Sequence, residues 1–436
     1  MTTPDTTDQL PGDTGIRNRA YRKIGLRLLP LLFLAYVFSY VDRVNIGFAQ
    51  LQMSEDLGFS AAVYGLGAGI FFIGYFLFEI PSNLLLQKYG ARIWIARIMI
   101  SWGILSALLM VTQEAWQFYL IRFLLGVAEA GFFPGVILYL TYWYPNARRA
   151  RATAFFFTAV AFAGVVGGPL SGWALTALDG AKGLYGWQWM FLIEGIPAVL
   201  LGIAVLIWLP SVPAKAKWLT TEEKTVVQDD LSAEDTAKPV HSTWAGLKDP
   251  KVLLLAAIYF CFVLGSYGIA FWLPQVIKGA GVTDFLQVGL LSAIPWSAAI
   301  VLMVLAAKSS DKTRKRRLHV GSAAVLGAAG LFIVSAAGGG HLVLTMIGLV
   351  LATAGVFTAL PLFWSLPTAF LAGGAAAVGL ATINSIGNLA GFVANYMVGW
   401  ITTLTGSTTW ATVVLAVVLL LGVGLMLKIP GKLVDR

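Results

Sequence analysis

The sequence predicts an all-α membrane protein with twelve transmembrane helices in two six-helix bundles. Composition is the first reason: of 436 residues, 58% are hydrophobic and only 12% are charged, where a soluble domain carries about 25% charged residues. Mean hydropathy is +0.79. Spacing is the second, because apolar runs of the about 20 residues needed to cross the hydrocarbon core recur along the whole chain. Charge is the third. The Lys and Arg residues gather in alternate connections, as expected of a chain oriented by its basic cytoplasmic loops.

The twelve spans read 26–48, 62–87, 92–112, 116–144, 151–178, 187–210, 251–276, 287–307, 318–337, 342–369, 376–401 and 408–429. These runs lack the alternation of a barrel strand, so they are helices. They divide the chain into a cytoplasmic tail (1–25), a first bundle (26–210), a cytoplasmic linker (211–250), a second bundle (251–429) and a second tail (430–436). The first 15 residues are expected to be disordered, and the polar N-terminus predicts no signal peptide. A short surface helix is expected in the linker around Thr221–Leu231. Of 30 Lys and Arg, only Lys182 and Lys278 fall on the far side and only Arg43 and Arg122 inside spans. Both termini are therefore expected in the cytoplasm. The net charge of +9 reflects this topology and not a nucleic-acid partner.

Several chemistries are excluded. Cys261 is the single cysteine, so there is no disulfide framework. His241, His319 and His341 have no metal-ligand spacing. Neither a phosphate-binding loop nor a nucleophile–base constellation is present, so the chain is not read as an enzyme, and no cofactor is expected.

What remains is charge inside the membrane. Asp42, Arg43, Arg122 and Glu129 fall deep in the first bundle, with Glu79 and Glu194 nearer the ends of their spans. Each such group costs at least about 2.5 kcal/mol to insert, which makes it a functional candidate; the alternative is a structural buried ion pair. Counting from the span ends puts Asp42, Arg43 and Arg122 at one level, with Glu129 about 10 Å deeper than Arg122 on the same helical face. Tyr75 falls at the level of Glu129. Asp42 and Arg43 point about 100° apart, so they have separate partners. Glu129 and Arg122 are too far apart for easy contact, and Glu129 needs another partner or water. Two guanidiniums suit a carboxylate, which each can grip through two hydrogen bonds. Two buried acids suit protons. A carrier of neutral sugars would use amides instead, and a multidrug exporter would use acids and aromatics without the arginines.

The segments 83–92 (NLLLQKYGAR) and 307–316 (AKSSDKTRKR) both resemble the GxxxD[RK]xG[RK][RK] loop of the major facilitator superfamily. Lys88, Gly90 and Arg92 match in the first copy, and Asp311, Lys312, Lys315 and Arg316 in the second. Gln87 stands where the first copy should carry Asp, which removes the acid of a latch there. Small residues in 164–172 (GVVGGPLSG) and 387–391 (GNLAG) are read as helix packing. YVDRVNIGFA (40–49), EIPSN (79–83), RFLLGVAEAGFFPG (122–135) and WQWMFLIEGIP (187–197) are similar to the anion:cation symporter family within that superfamily, the branch of bacterial tartrate, galactonate, phthalate and hydroxyphenylacetate carriers. The resemblance implies that Arg43 and Arg122 bind the substrate carboxylate. It implies further that Asp42 and Glu129 take protons, that Tyr40 and Tyr75 line the pocket, and that two bundles rock about a midplane site.

The second bundle is almost uncharged inside, so it should supply rings and hydrogen bonds. Candidates are Tyr267 and Trp272, then Trp364, Ser365 and Thr368, then Asn384 and Asn388, for which helix–helix bonding is the competing reading. Pro361 and Pro367 could break span ten there, and Cys261 reads as a small buried apolar residue. The expectation is a monomeric symporter of a bacterial inner membrane. It would import a small organic carboxylate, a tartrate-like hydroxy acid or sugar acid, with protons. Aromatic-acid symport, organic-anion antiport or export, a uniporter in which Asp42 and Glu129 only balance the arginines, and a transporter-like sensor are the alternatives.

Overall fold

The computed structural model describes residues 11–235, 249–367 and 374–430. Fifteen helices of ten or more residues carry the described chain, because in lipid every backbone polar group must be paired within the segment itself. The first bundle holds α1 (Pro11–Val44), α2 (Ile46–Asp56), α3 (Ala61–Tyr89), α4 (Ala91–Leu108), α5 (Ala115–Glu129), α6 (Phe132–Thr141), α7 (Asn146–Ala177) and α8 (Gly186–Trp208). The linker carries α9 (Thr221–Asp235). The second bundle holds α10 (Pro250–Gly279), α11 (Phe285–Thr313), α12 (Arg316–Ala337), α13 (Leu342–Phe363), α14 (Gly374–Thr405) and α15 (Thr409–Leu427). Eleven stretches among the described residues are long and apolar enough to cross a membrane; α14, with 32 residues, completes a twelve-span architecture.

Two expected spans are differently built. Span one is a single apolar stretch, Gly15–Asp56, interrupted only at Asn45, and therefore runs past its expected end at residue 48. Its helix already begins at Pro11, so the expected disorder of the first 15 residues does not hold from there on. Span four breaks after Glu129. Gly131 has φ +84°, a conformation that favours glycine, and a Cβ there would sit 2.4 Å from Ser82 Oγ. Gly131 and Pro134 are the sequence signal that could have revealed the break.

The bundles meet along α7–α11, α3–α14 and α2–α10. Close approach of small residues makes these seams: a Cβ on Gly168 would lie 2.8 Å from Gly289 O, and one on Gly65 would lie 2.4 Å from Asn395 O. Hydrogen bonds reinforce the same end. Ala62 N donates to Thr403 Oγ1 at 2.8 Å, Leu286 N to Thr176 Oγ1 at 3.1 Å, and Lys278 Nζ to Leu51 O at 2.8 Å. All of these lie at the end opposite the linker, so the two bundles are sealed at that end.

The linker belongs structurally to the first bundle. Lys23 pairs with Glu223 at 2.7 Å, Arg17 with Asp230 at 3.2 Å, and Tyr21 donates to Asp230 at 3.0 Å. Trp218 stacks on Trp143 with centroids 5.8 Å apart, and Arg27 lies 5.2 Å over the Trp218 ring. The helix expected near Thr221–Leu231 is α9.

Candidate functional site

Arg43 is the centre of the site. Its Nη2 pairs with Glu129 Oε1, and its Nη1 donates to Tyr267 Oη at 3.4 Å, so one guanidinium joins α1, α5 and α10 across the boundary between bundles. Ser39, one turn before Arg43, donates to the same Glu129 oxygen at 2.8 Å. These are the partners that the spacing required for Glu129. The depth arithmetic needs one correction. Because span one continues to Asp56, Arg43 lies about 20 Å from that end, level with Glu129 and not with Arg122.

Arg122 is fully buried. Its Nε donates to Gly67 O at 3.3 Å and its Nη2 to Ala68 O at 3.4 Å, while Nη1 has no partner among the described residues. Phe71 lies between the two cations, 5.4 Å from the Arg43 guanidinium and 5.0 Å from that of Arg122. Tyr75 lies 5.4 Å from Arg43. Cation–π attraction of this kind is stronger when desolvated, and here it keeps two like charges in one small volume.

Asp42 is bonded on a separate side of α1 from Arg43. Trp102 Nε1 donates to its Oδ2 at 2.8 Å and Ser106 Oγ to its Oδ1 at 2.9 Å, and all three residues are buried. Glu194, expected nearer a span end, is also fully buried; Ser171 donates to its Oε1 at 2.7 Å, and Oε2 has no hydrogen-bond partner among the described residues. Neither acid has a cation within salt-bridge distance among the described residues.

Across the boundary, Tyr40 meets Trp296 edge-on at 6.0 Å, and Trp296 packs on Phe357 at 4.4 Å. Asn384 Nδ2 reaches Glu79 Oε1 at 3.5 Å, and Asn388 lies near the same carboxylate. Glu79, a candidate that its spacing set nearer a span end, and Trp296, which carried no sequence signal, therefore join the site. Trp272 stacks edge-on against Tyr64 at 5.1 Å, in the sealed seam. Cys261 is buried.

Ser365 belongs elsewhere. Its hydroxyl bonds Leu362 O at 2.6 Å within its own turn, and its carbonyl accepts from Arg316 Nη1 at 3.4 Å at the linker end of the molecule. Helix α13 stops at Phe363, just before Trp364, which packs on Tyr259 at 4.9 Å. Ser365 is thus part of an α12–α13 brace, not of the cluster around Arg43, and Arg316 is the other half of that brace. Thr368 lies outside the described residues. In the other basic loop, Lys88 lies 5.5 Å over Tyr89 and Arg92 Nε donates to Leu206 O at 2.6 Å, tying α4 to α8. Asp311 and Lys312 lie at the linker end of α11.

Residues 32–395 match the family model of the Major Facilitator Superfamily. The chain belongs to that superfamily. It is 52% identical to a "Putative tartrate transporter" of Agrobacterium vitis over 90% of this chain and 87% of that protein. It is also 41% identical to a "Quinolone resistance transporter" of Acinetobacter baumannii (94% and 95% covered) and 37% identical to the "Inner membrane transport protein RhmT" of Escherichia coli strain K12 (94% and 95%). Among solved structures, the inward-open xylose transporter XylE of E. coli superposes with a TM-score of 0.71 at 18% identity, covering 93% of this chain and 96% of that one. A bacterial homologue of the human lysosomal transporter Spinster, inward-facing, gives 0.72 at 16% identity, covering 94% and 97%. At those identities the likeness is one of fold. This superfamily member is a multi-pass membrane transporter of small molecules, not an enzyme.

Proposed function

We propose that this transporter imports a small organic carboxylate together with protons, and that Arg43 and Arg122 hold the carboxylate. The observation that carries the reading is the Arg43–Glu129 pair at the bundle boundary. A substrate carboxylate and Glu129 compete for one guanidinium. A proton on Glu129 removes its charge and frees Arg43 for the substrate, so proton and anion binding favour each other, and the linkage is reciprocal. Arg122, with an unpartnered Nη1, offers a second donor. Tyr40, Tyr75, Tyr267, Asn384 and Asn388 supply hydroxyls and amides for a hydroxy acid or sugar acid, and the tartrate-named relative supports that class. Asp42 is the second candidate for a proton.

With basic loops and both termini in the cytoplasm of a bacterial inner membrane, the sealed end is periplasmic. The quinolone-named relative supports a second reading, export on the same fold. The test is uptake of labelled tartrate into proteoliposomes with and without an inward proton gradient. Gradient-driven accumulation is expected. Uptake indifferent to the gradient would leave a uniporter, and proton-driven quinolone efflux without organic-acid uptake would favour the exporter.

A further inference from the structure

A cavity of about 760 Å³ lies far from the Arg43 cluster, where the linker-side ends of α1 and α7 come together with the residues that follow α6. Its wall carries Asn18, Arg22, Tyr144, Arg148, Arg151 and Phe155, and no acid. Arg148 is fixed in place: its Nη2 donates to Asn18 Oδ1 at 3.0 Å, and its guanidinium lies 4.5 Å over the Tyr21 ring. Tyr144 is only 5% exposed, yet its hydroxyl has no partner among the described residues. The site thus presents three guanidiniums and a buried, unspent hydroxyl. Asp230, the nearby acid, is occupied by Arg17 and Tyr21.

The lining changes character with depth. From Arg22 to Leu29 on α1, and from Arg148 to Phe155 on α7, the chain descends about 10 Å towards the bilayer, and both walls turn apolar. Below the cavity Phe33 packs on Phe155 at 5.1 Å and on Phe162 at 5.7 Å. Phe155 and Phe162 are 44% and 45% exposed, on the outer face of the bundle. A basic cavity at headgroup level is therefore continuous with an apolar strip facing the acyl chains.

We propose that this cavity binds the phosphate of an anionic phospholipid from the cytoplasmic leaflet, with one acyl chain lying along Phe155 and Phe162. Guanidiniums match phosphate oxygens in pairs, and basic clefts between helices on the cytoplasmic side suit such headgroups. The apolar strip selects a lipid over a free phosphate. The placement rests on the cytoplasmic orientation of the termini given above, but not on the transported substrate.

The experiment titrates the full-length protein in detergent with dioleoyl phosphatidylglycerol, dioleoyl phosphatidylcholine and, separately, glycerol 3-phosphate, reading bound adducts by native mass spectrometry. Phosphatidylglycerol is expected to bind at least about tenfold tighter than phosphatidylcholine, and glycerol 3-phosphate far more weakly than either. The triple variant Arg22→Gln/Arg148→Gln/Arg151→Gln is expected to lose at least about tenfold in phosphatidylglycerol affinity. Equal binding of the two lipids, or an unchanged triple variant, overturns the proposal. Glycerol 3-phosphate binding as tightly as phosphatidylglycerol overturns it too, in favour of a soluble anion. If the triple variant does not fold, the exposed Arg151→Gln alone should weaken binding about fivefold, and unchanged affinity there is equally decisive. No substrate is present, so the result is independent of whether tartrate uptake is observed.

Discussion

Asp42 and Arg43 are neighbours in the chain, yet they serve separate networks. Arg43 reaches Glu129 and Tyr267 at the bundle boundary, while Asp42 turns inward to Trp102 and Ser106. The 100° step between adjacent helical residues is the cause. Its consequence is that a proton on Asp42 cannot release Arg43 directly, whereas one on Glu129 can.

Glu129→Gln should therefore uncouple substrate binding from pH. In the native carrier, affinity measured by calorimetry is expected to strengthen as pH falls, because a proton on Glu129 releases Arg43 for the substrate anion. In Glu129→Gln the slope should flatten while binding persists. An unchanged slope would remove Glu129 from the coupling.

Arg122→Lys should lose most transport. The side chain is fully buried and bonds two carbonyls through a planar fork that an ammonium cannot reproduce. Uptake equal to that of the native carrier at sub-saturating substrate would show that the fork is not used.

Asp42→Asn should fold and bind substrate but fail to accumulate it. Trp102 Nε1 can only donate, whereas the Ser106 hydroxyl can also accept, so an amide Nδ2 turned towards Ser106 satisfies both neighbours, as a protonated acid would. Adding Ser106→Ala strands that buried donor and should cost about 1–3 kcal/mol in a denaturation series. Full accumulation by Asp42→Asn would place the transported proton elsewhere.

Gly172→Val should open the sealed end. A Cβ on Gly172 would lie 2.5 Å from Phe285 O, a backbone atom that cannot step aside without moving α11. In a Cys261→Ser background, a cysteine at Thr403 should then react several-fold faster with an impermeant maleimide from outside. Unchanged labelling would show that the α7–α11 seam is not what keeps this end shut.

The docking of α9 should weaken in acid. Burial alone would raise the Glu223 carboxyl, but the Lys23 ammonium and the Thr220 backbone N–H outweigh it and hold the group below its ordinary range. A lowered folded value stabilises the docked state in full above the unfolded value of about 4.3, and that contribution is lost as pH falls through the folded one. Hydrogen exchange in α9 should accelerate across that window, and Glu223→Gln should remove this part of the pH dependence. An identical profile in the variant would assign it to another group.

Much of the molecule was legible in the chain because hydrocarbon leaves few choices. Apolar runs of sufficient length have to be helices, their number and basic loops set the topology, and charges that are costly to bury marked Asp42, Arg43, Arg122 and Glu129. The small residues around Gly168 and Gly172 were correctly read as packing, although their partner, α11, was not visible. Spacing along a helix determines depth and face, but not how far each helix is rotated or which neighbour it meets. Only the tertiary structure decided that Arg43 pairs with Glu129, that Asp42 is enclosed by Trp102 and Ser106, and that Asn384 reaches Glu79 across the boundary. Ser365 fell out of the site for the same reason: its span ends at Phe363, and a helix end is set by packing and by hydrogen bonds such as that from Arg316, which sequence period does not record.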